Sequence, residues 1–178
     1  MHPKFLVLID SFKGSISSLE LARLFKVNLT GSKTYPISDG GDGFYETIKY
    51  YKRGKEVFIN VKSLENKEII IPVLIDDKNN AYLESAKIIG LTLLKDLNKS
   101  SIFDRTSLGL GQALVRLNDF KINKLFLGLG GSGTSDLGLG VLTALGYKFL
   151  NKENVEIENL NIRKAEDFGE SDHSSRRI

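Results

Sequence analysis

Most of the residues that could do chemistry fall in three short segments. Asp10-Ser11-Phe12-Lys13-Gly14-Ser15 places a carboxylate, two hydroxyls and an ammonium group together. Ser38 to Gly43 reads SDGGDG, with Asp39 and Asp42 set among glycines. Gly128 to Gly138 reads GLGGSGTSDLG, carrying the hydroxyls of Ser132, Thr134 and Ser135 and the carboxylate of Asp136. Glycines remove the Cβ atoms that keep an anion from backbone N–H groups, and a helix start adds the positive end of its dipole. The third segment therefore reads as a phosphate cradle. Its hydroxyls and Asp136 suit phosphate oxygens and an accompanying Mg²⁺. Plainer roles exist for each segment: Asp136 or Thr134 can cap a helix, SDGGDG can be a tight turn, Lys13 can pair with Asp10 in solvent, and Arg105-Thr106-Ser107 can be a helix start.

Composition narrows the chemistry. The chain has 178 residues and no cysteine, which excludes disulfides, thiol nucleophiles and zinc–thiolate sites. Its two histidines, His2 and His173, lie near the ends, where a Ser-His-Asp triad or a histidine metal cluster is not expected. Carboxylates, lysines, hydroxyls and a hard cation remain, an inventory that serves phosphoryl transfer. The 25 basic and 22 acidic residues are interspersed, so no nucleic-acid partner is expected. The apolar run Phe5 to Ile9 is too short for a signal peptide and no stretch could span a membrane, so a cytoplasmic location is the default.

The third segment also spells G-x-G-x-x-G at Gly128, Gly130 and Gly133, with Glu153 and Glu156 downstream. That pattern opens a dinucleotide-binding alternative. No Lys-Ser/Thr pair follows it, so it is not a Walker loop.

The elements that must position these loops can be read from periodicity. Lys4–Ile9 and Thr34–Ile37 are expected strands, with a helix between them over Leu19–Leu29 capped by Ser17 or Ser18. A helix follows SDGGDG through Tyr51. Glu56–Lys62, Glu68–Ile75 and Asn80–Glu84 read as antiparallel strands joined by short polar turns. Helices near Ser85–Gly90 and Ser107–Leu117, a strand at 124–128 and a helix at 135–145 complete the pattern. Glu84, at a strand end, can be a site carboxylate or a surface residue. The expected class is α/β, an open sheet with a parallel part and an antiparallel insertion. Residues 1–54 and 123–165 would form the nucleotide/phosphate-binding α/β region, 55–122 an inserted region with antiparallel strands, and 166–178 a disordered tail. All three chemical loops follow strands, and in open α/β sheets sites form outside the carboxyl ends of strands.

DSFKGS at 10–15, PISDGGDG at 36–43, LESAKIIGL at 83–91, RTSLGLGQAL at 105–114 and GLGGSGTSDLGLGVLTALG at 128–146 together resemble the glycerate kinase family of the bacterial two-domain type. The resemblance runs in order from about Lys4 to Phe149 and is to the N-terminal portion of a family about twice as long. It implies an incomplete two-domain kinase that phosphorylates glycerate with ATP and Mg²⁺, in a cleft between domains. Carried over, it implies Asp10, Ser11, Lys13, Asp39, Gly40, Gly41, Asp42, Gly130, Gly131, Ser132, Thr134 and Asp136 as residues of that cleft. Within it the residue types suit Lys13, Asp39 and Asp42 to catalysis, Asp10, Ser11 and Arg105 to substrate binding, Gly130, Gly131, Ser132, Gly133, Thr134 and Ser135 to nucleotide binding, and Asp136 to the metal. The family usually has glutamate at the position of Asp42, threonine at Phe44, alanine at Gly133, asparagine at Ser135 and glycine at Leu137. Its shortened length implies a separate C-terminal half or a homo-oligomer as partner. A non-catalytic binding module with an anion site is the alternative from a different class.

Overall fold

The computed structural model describes residues 4–94, 96, 100–151, 153 and 155–157. The expected tail at 166–178 lies outside them. The chain is α/β, with one parallel sheet and one mixed sheet.

The parallel sheet pairs β1 (Phe5–Ile9) with β2 (Ser32–Pro36), joined by α1 (Ser18–Asn28). The register sets Leu6 beside Lys33 and Leu8 beside Tyr35. α1 starts at a capping box: Ser17 Oγ accepts from Glu20 N at 3.2 Å and Glu20 Oε2 accepts from Ser17 N at 3.1 Å. α1 packs on both strands. The sheet face bearing Val7, Ile9, Thr34 and Pro36 is accordingly the more buried, and the face bearing Leu6, Leu8, Lys33 and Tyr35 is exposed.

After α2 (Phe44–Tyr51) comes a four-stranded sheet in the order β3 (Gly54–Lys62), β4 (Glu68–Asp76), β5 (Asn80–Glu84), β6 (Lys124–Gly128). The first three are antiparallel neighbours, as the short turns require. Asn66 and Asn79 take left-handed conformations in those turns, at φ 62° and 59°. Asp76 closes the second turn, accepting from Lys78 N and Asn80 N at 2.9 Å each and from the Tyr82 hydroxyl at 3.0 Å. The core lies on one face: Val57, Ile59, Val61, Ile71, Val73, Ala81 and Leu83 pack with Ile88 and Ile89 of α3 (Ala86–Ile89) and Leu110, Ala113 and Leu117 of α4 (Leu108–Asn118).

Two expectations are corrected. Residues 124–128 do not extend the sheet of β1 and β2. They pair in parallel with β5, because α4 crosses over from β5 and the side chains of Leu125 and Leu127 join the β3–β5 core. The last helix, α5, runs from Leu139–Ala144 and does not begin at 135. Leu137 and Gly138 sit at φ 53° and 79°, which no α-helix accommodates, so the helix starts only after them.

Candidate functional site

The loop after β1 and the loop after β2 meet at the carboxyl ends of these strands. Asp10 joins them. Its Oδ1 accepts from Ser11 N at 2.7 Å and its Oδ2 from Asp39 N at 3.3 Å. Asp39 Oδ1 accepts from Gly41 N at 2.7 Å, and its Oδ2 lies 3.5 Å from Lys13 Nζ. The Gly41 N–H, aided by the Lys13 ammonium, holds the Asp39 carboxyl below the usual carboxylate range. Both side chains of the pair are exposed, so it is free to reorganise around a ligand.

These loops open onto a cleft of about 390 Å³ whose walls include Ser11, Lys13, Ser15, Asp42, Glu84 and Lys87. Glu84 ends β5 and is 1% exposed. Its carboxylate accepts from Gly43 N at 3.2 Å and Tyr45 N at 2.7 Å, so an acid on the mixed sheet holds the start of α2 and the end of the SDGGDG loop. Burial pushes its pKa up against these bonds. Lys87 lies one turn on, its Nζ 5.3 Å from the centre of the Tyr45 ring and 3.9 Å from Glu46 Oε1. Lys87 was missed from the sequence, although E-S-A-K at a strand end places a second cation three residues after the buried acid.

The third loop touches the second directly. A Cβ on Gly130 would lie 2.6 Å from Gly41 Cα, and one on Gly128 would lie 2.7 Å from the Gly40 carbonyl oxygen. A Cβ on Gly133 would meet Leu64 Cδ1 at 2.8 Å. Gly128 and Gly130 are therefore required by neighbouring backbone, whereas at Gly133 the clash is with the movable end of a leucine side chain. In the dinucleotide fingerprint the second glycine admits a pyrophosphate, whereas here Gly41 fills that space. The dinucleotide alternative does not fit. Gly131 differs: it is exposed at φ 61° and its missing Cβ has only the Ala86 Cβ within 4.0 Å. Gly131, Ser132 and Ser135 form the open part of the loop.

The remaining candidates brace the loop. Thr134 Oγ1 donates to the Arg105 carbonyl at 3.1 Å. Arg105 is buried outside the cleft, donating to Gly133 O at 3.2 Å and Ser100 O at 2.8 Å. Asp136 is also buried. Its Oδ2 accepts from Ser107 N at 2.7 Å, Ser107 Oγ at 2.8 Å and Gly140 N at 3.2 Å, and its Oδ1 from Gly138 N at 3.2 Å. It ties the starts of α4 and α5 together, and with Oδ2 engaged by three donors it serves first as a structural brace. Among the described residues no group of three or more acidic or histidine side chains could hold a metal ion. A magnesium ion seldom needs such a cage, being held by one or two carboxylates and phosphate oxygens, which Asp39 and Asp42 beside the cleft suit.

An α/β protein with paired acidic and lysine groups at strand ends, and a glycine loop against them, is defined. The sequence pattern of the Glycerate kinase family matches residues 5–176, and the chain belongs to that family. It is 31% identical over 164 residues to a glycerate kinase of Haemophilus influenzae, covering 86% of this chain and 42% of that protein. It is 30% identical over 165 residues to a glycerate kinase of Bacillus subtilis, again covering 86% and 42%. A crystal structure described as glycerate kinase 2 from Salmonella typhimurium LT2 superposes with a TM-score of 0.75 at 23% identity, covering 97% of this chain and 48% of that one. The chain thus spans less than half the length of these relatives.

Proposed function

We propose that this chain supplies the glycerate- and phosphoryl-binding cleft of an ATP-dependent glycerate kinase acting in the cytoplasm. The observation that carries this is the Asp10–Asp39–Lys13 cluster, which ties two strand-end loops into one charged cleft mouth. Lys13 offers a mobile positive charge to the glycerate carboxylate or to the phosphoryl group in transit. Asp39, kept ionised, accepts from a glycerate hydroxyl or holds Mg²⁺, and Asp42 on the cleft wall is the second carboxylate for those tasks. Asp10 and Ser11 shape the loop that presents Lys13. ATP supplies the phosphoryl group, and Gly131 and Ser132 offer an exposed backbone and hydroxyl to its phosphates. Asp136 and Arg105 are left out of the contact set by their own hydrogen bonds.

The alternative is a binding module with an anion site and no turnover. Coupled ATP-consumption assays with glycerate separate the two, run on this chain alone and with a polypeptide supplying the rest of a relative. Glycerate-dependent ADP release, requiring Mg²⁺, is the expected result. ATP consumption indifferent to glycerate in both settings would remove the kinase reading.

A further inference from the structure

The walls of the cleft carry two ammonium groups, Lys13 and Lys87. They differ from the other paired lysines of the described residues. Lys62, Lys67 and Lys148 hold glutamate oxygens at 2.6–2.8 Å, and Lys49 is in direct contact with Glu56. Lys13 and Lys87 stand off from their carboxylates, at 3.5 Å from Asp39 and 3.9 Å from Glu46. Among the described residues Lys87 Nζ makes no hydrogen bond, although its side chain is only 28% exposed. An ammonium group has three donors, and drawing it partly out of water without engaging them is unfavourable. Lys87 is therefore placed for an acceptor that the protein does not supply. Its position is also fixed. It projects from α3, whose Ala86, Ile88 and Ile89 are buried. Its Nζ lies 5.3 Å from the centre of the Tyr45 ring, and Tyr45 is 1% exposed. Lys13 is the opposite case, 69% exposed in a loop and followed by Gly14 at φ 77°.

We propose that Lys87 is a specificity-determining residue of the cleft: its ammonium binds the carboxylate of the substrate and leaves Lys13 to the phosphoryl group. The identity of the acid, glycerate, rests on the function proposed above. The charge of a carboxylate is the same before, during and after phosphoryl transfer. A cation held in place meets it equally in the ground state and the transition state, and such a contact lowers KM without raising kcat. The phosphoryl group moves and spreads its charge, which suits the cation that can move with it. Asp42, Glu46 and Glu84 line the same wall and would repel an acidic substrate, and Lys87 is the cation set among them. It thereby lets an acid enter where the wall alone would favour a neutral polyol.

The test measures binding of glycerate and of Mg-ATP to the 178-residue chain by calorimetry, for the parent, Lys87→Met and Lys87→Arg. Methionine keeps an apolar stem against Tyr45 and removes the charge. Lys87→Met should raise Kd for glycerate at least about tenfold, the size of a charge-assisted contact, and leave Kd for Mg-ATP and the melting temperature unchanged. Lys87→Arg should recover most of the affinity. In turnover, Lys87→Met should raise KM for glycerate at nearly constant kcat, whereas Lys13→Ala should lower kcat. Four results would overturn the proposal: no glycerate binding by the parent, an unchanged Kd for glycerate in Lys87→Met, equal weakening of glycerate and Mg-ATP, or weakening of Mg-ATP alone. Glycerate binding that depends on Lys87 without glycerate-dependent ATP use would leave the role of Lys87 standing and count against the kinase reading alone. Glycerate-dependent ADP release with a KM that Lys87→Met does not alter would do the reverse.

Discussion

At the residue scale, the carboxylates of the three loops divide by what their oxygens already hold. Asp136 is engaged by buried N–H and O–H donors, whereas Asp39 shares one oxygen with an exposed ammonium. Lys13 is therefore the cation best placed to follow a ligand. In the catalytically active assembly, Lys13→Ala should lower kcat/KM for glycerate at least about tenfold, since a charge-assisted contact contributes roughly 1.5–3 kcal/mol. Steady-state kinetics at saturating ATP reads this directly, and unchanged values would remove Lys13 from the mechanism. Leu137 carries a different burden. It sits at φ 53° with its side chain exposed, where the resembled family usually has glycine. A left-handed conformation costs a branched residue about 1–2 kcal/mol, and glycine returns part of this as unfolded-state entropy. Leu137→Gly should raise stability by up to about 1 kcal/mol, seen as a higher urea midpoint at unchanged slope.

At the scale of elements, most strands and helices were legible because their apolar spacing is local. The pairing of Glu68–Asp76 with its neighbours followed from polar turns of fixed length. Two things were not legible. The start of α5 depends on a carboxylate that reaches across to Ser107 and on two left-handed residues, and neither appears in periodicity. The partner of each loop glycine is equally remote: Gly130 is paired in space with Gly41, far away in sequence, so a glycine needed for packing looks the same as one needed for a ligand. Substitution separates the two. Gly130→Ala drives a Cβ into backbone and should cost about 1–3 kcal/mol, as overpacking does. Gly131→Ala meets open space, so its cost is confined to strain of about 1–2 kcal/mol at positive φ, and it should weaken KM for ATP if the loop tip holds phosphate. Thermal melts and ATP titrations of the pair give opposite rankings in that case. A loss below about 1 kcal/mol for Gly130→Ala would show that the crossing of the loops is looser than the backbone geometry requires.

At the scale of the molecule, the half-covered sheet and the closed mixed sheet are joined through α2, and Glu84 is the group that fastens that helix to β5. Two carboxylates then give the fold opposite responses to pH. Asp76 is held at about 2 by the N–H and amide of Asn80, by the Tyr82 hydroxyl and by Lys78 N–H, so its contribution is full above the ordinary carboxylate value of 3.8 and is lost as pH falls toward 2. Glu84 is raised by burial, so its contribution is full below 4.5 and is lost as pH rises through its elevated folded value. Glu84→Gln removes the second slope. It also turns an amide N–H toward one of the two backbone donors, leaving a buried donor unsatisfied at about 1–3 kcal/mol at every pH. Asp76→Asn removes the first slope and leaves the second. Urea midpoints at pH 3, 5 and 7 should therefore show the stability of Asp76→Asn approaching that of the parent chain as pH falls. The deficit of Glu84→Gln should shrink as pH rises from 5 to 7. A deficit for Glu84→Gln that grew over that interval would mean that Glu84 is stabilised in its ionised form by the α2 N–H groups, and that their hydrogen bonds outweigh its burial.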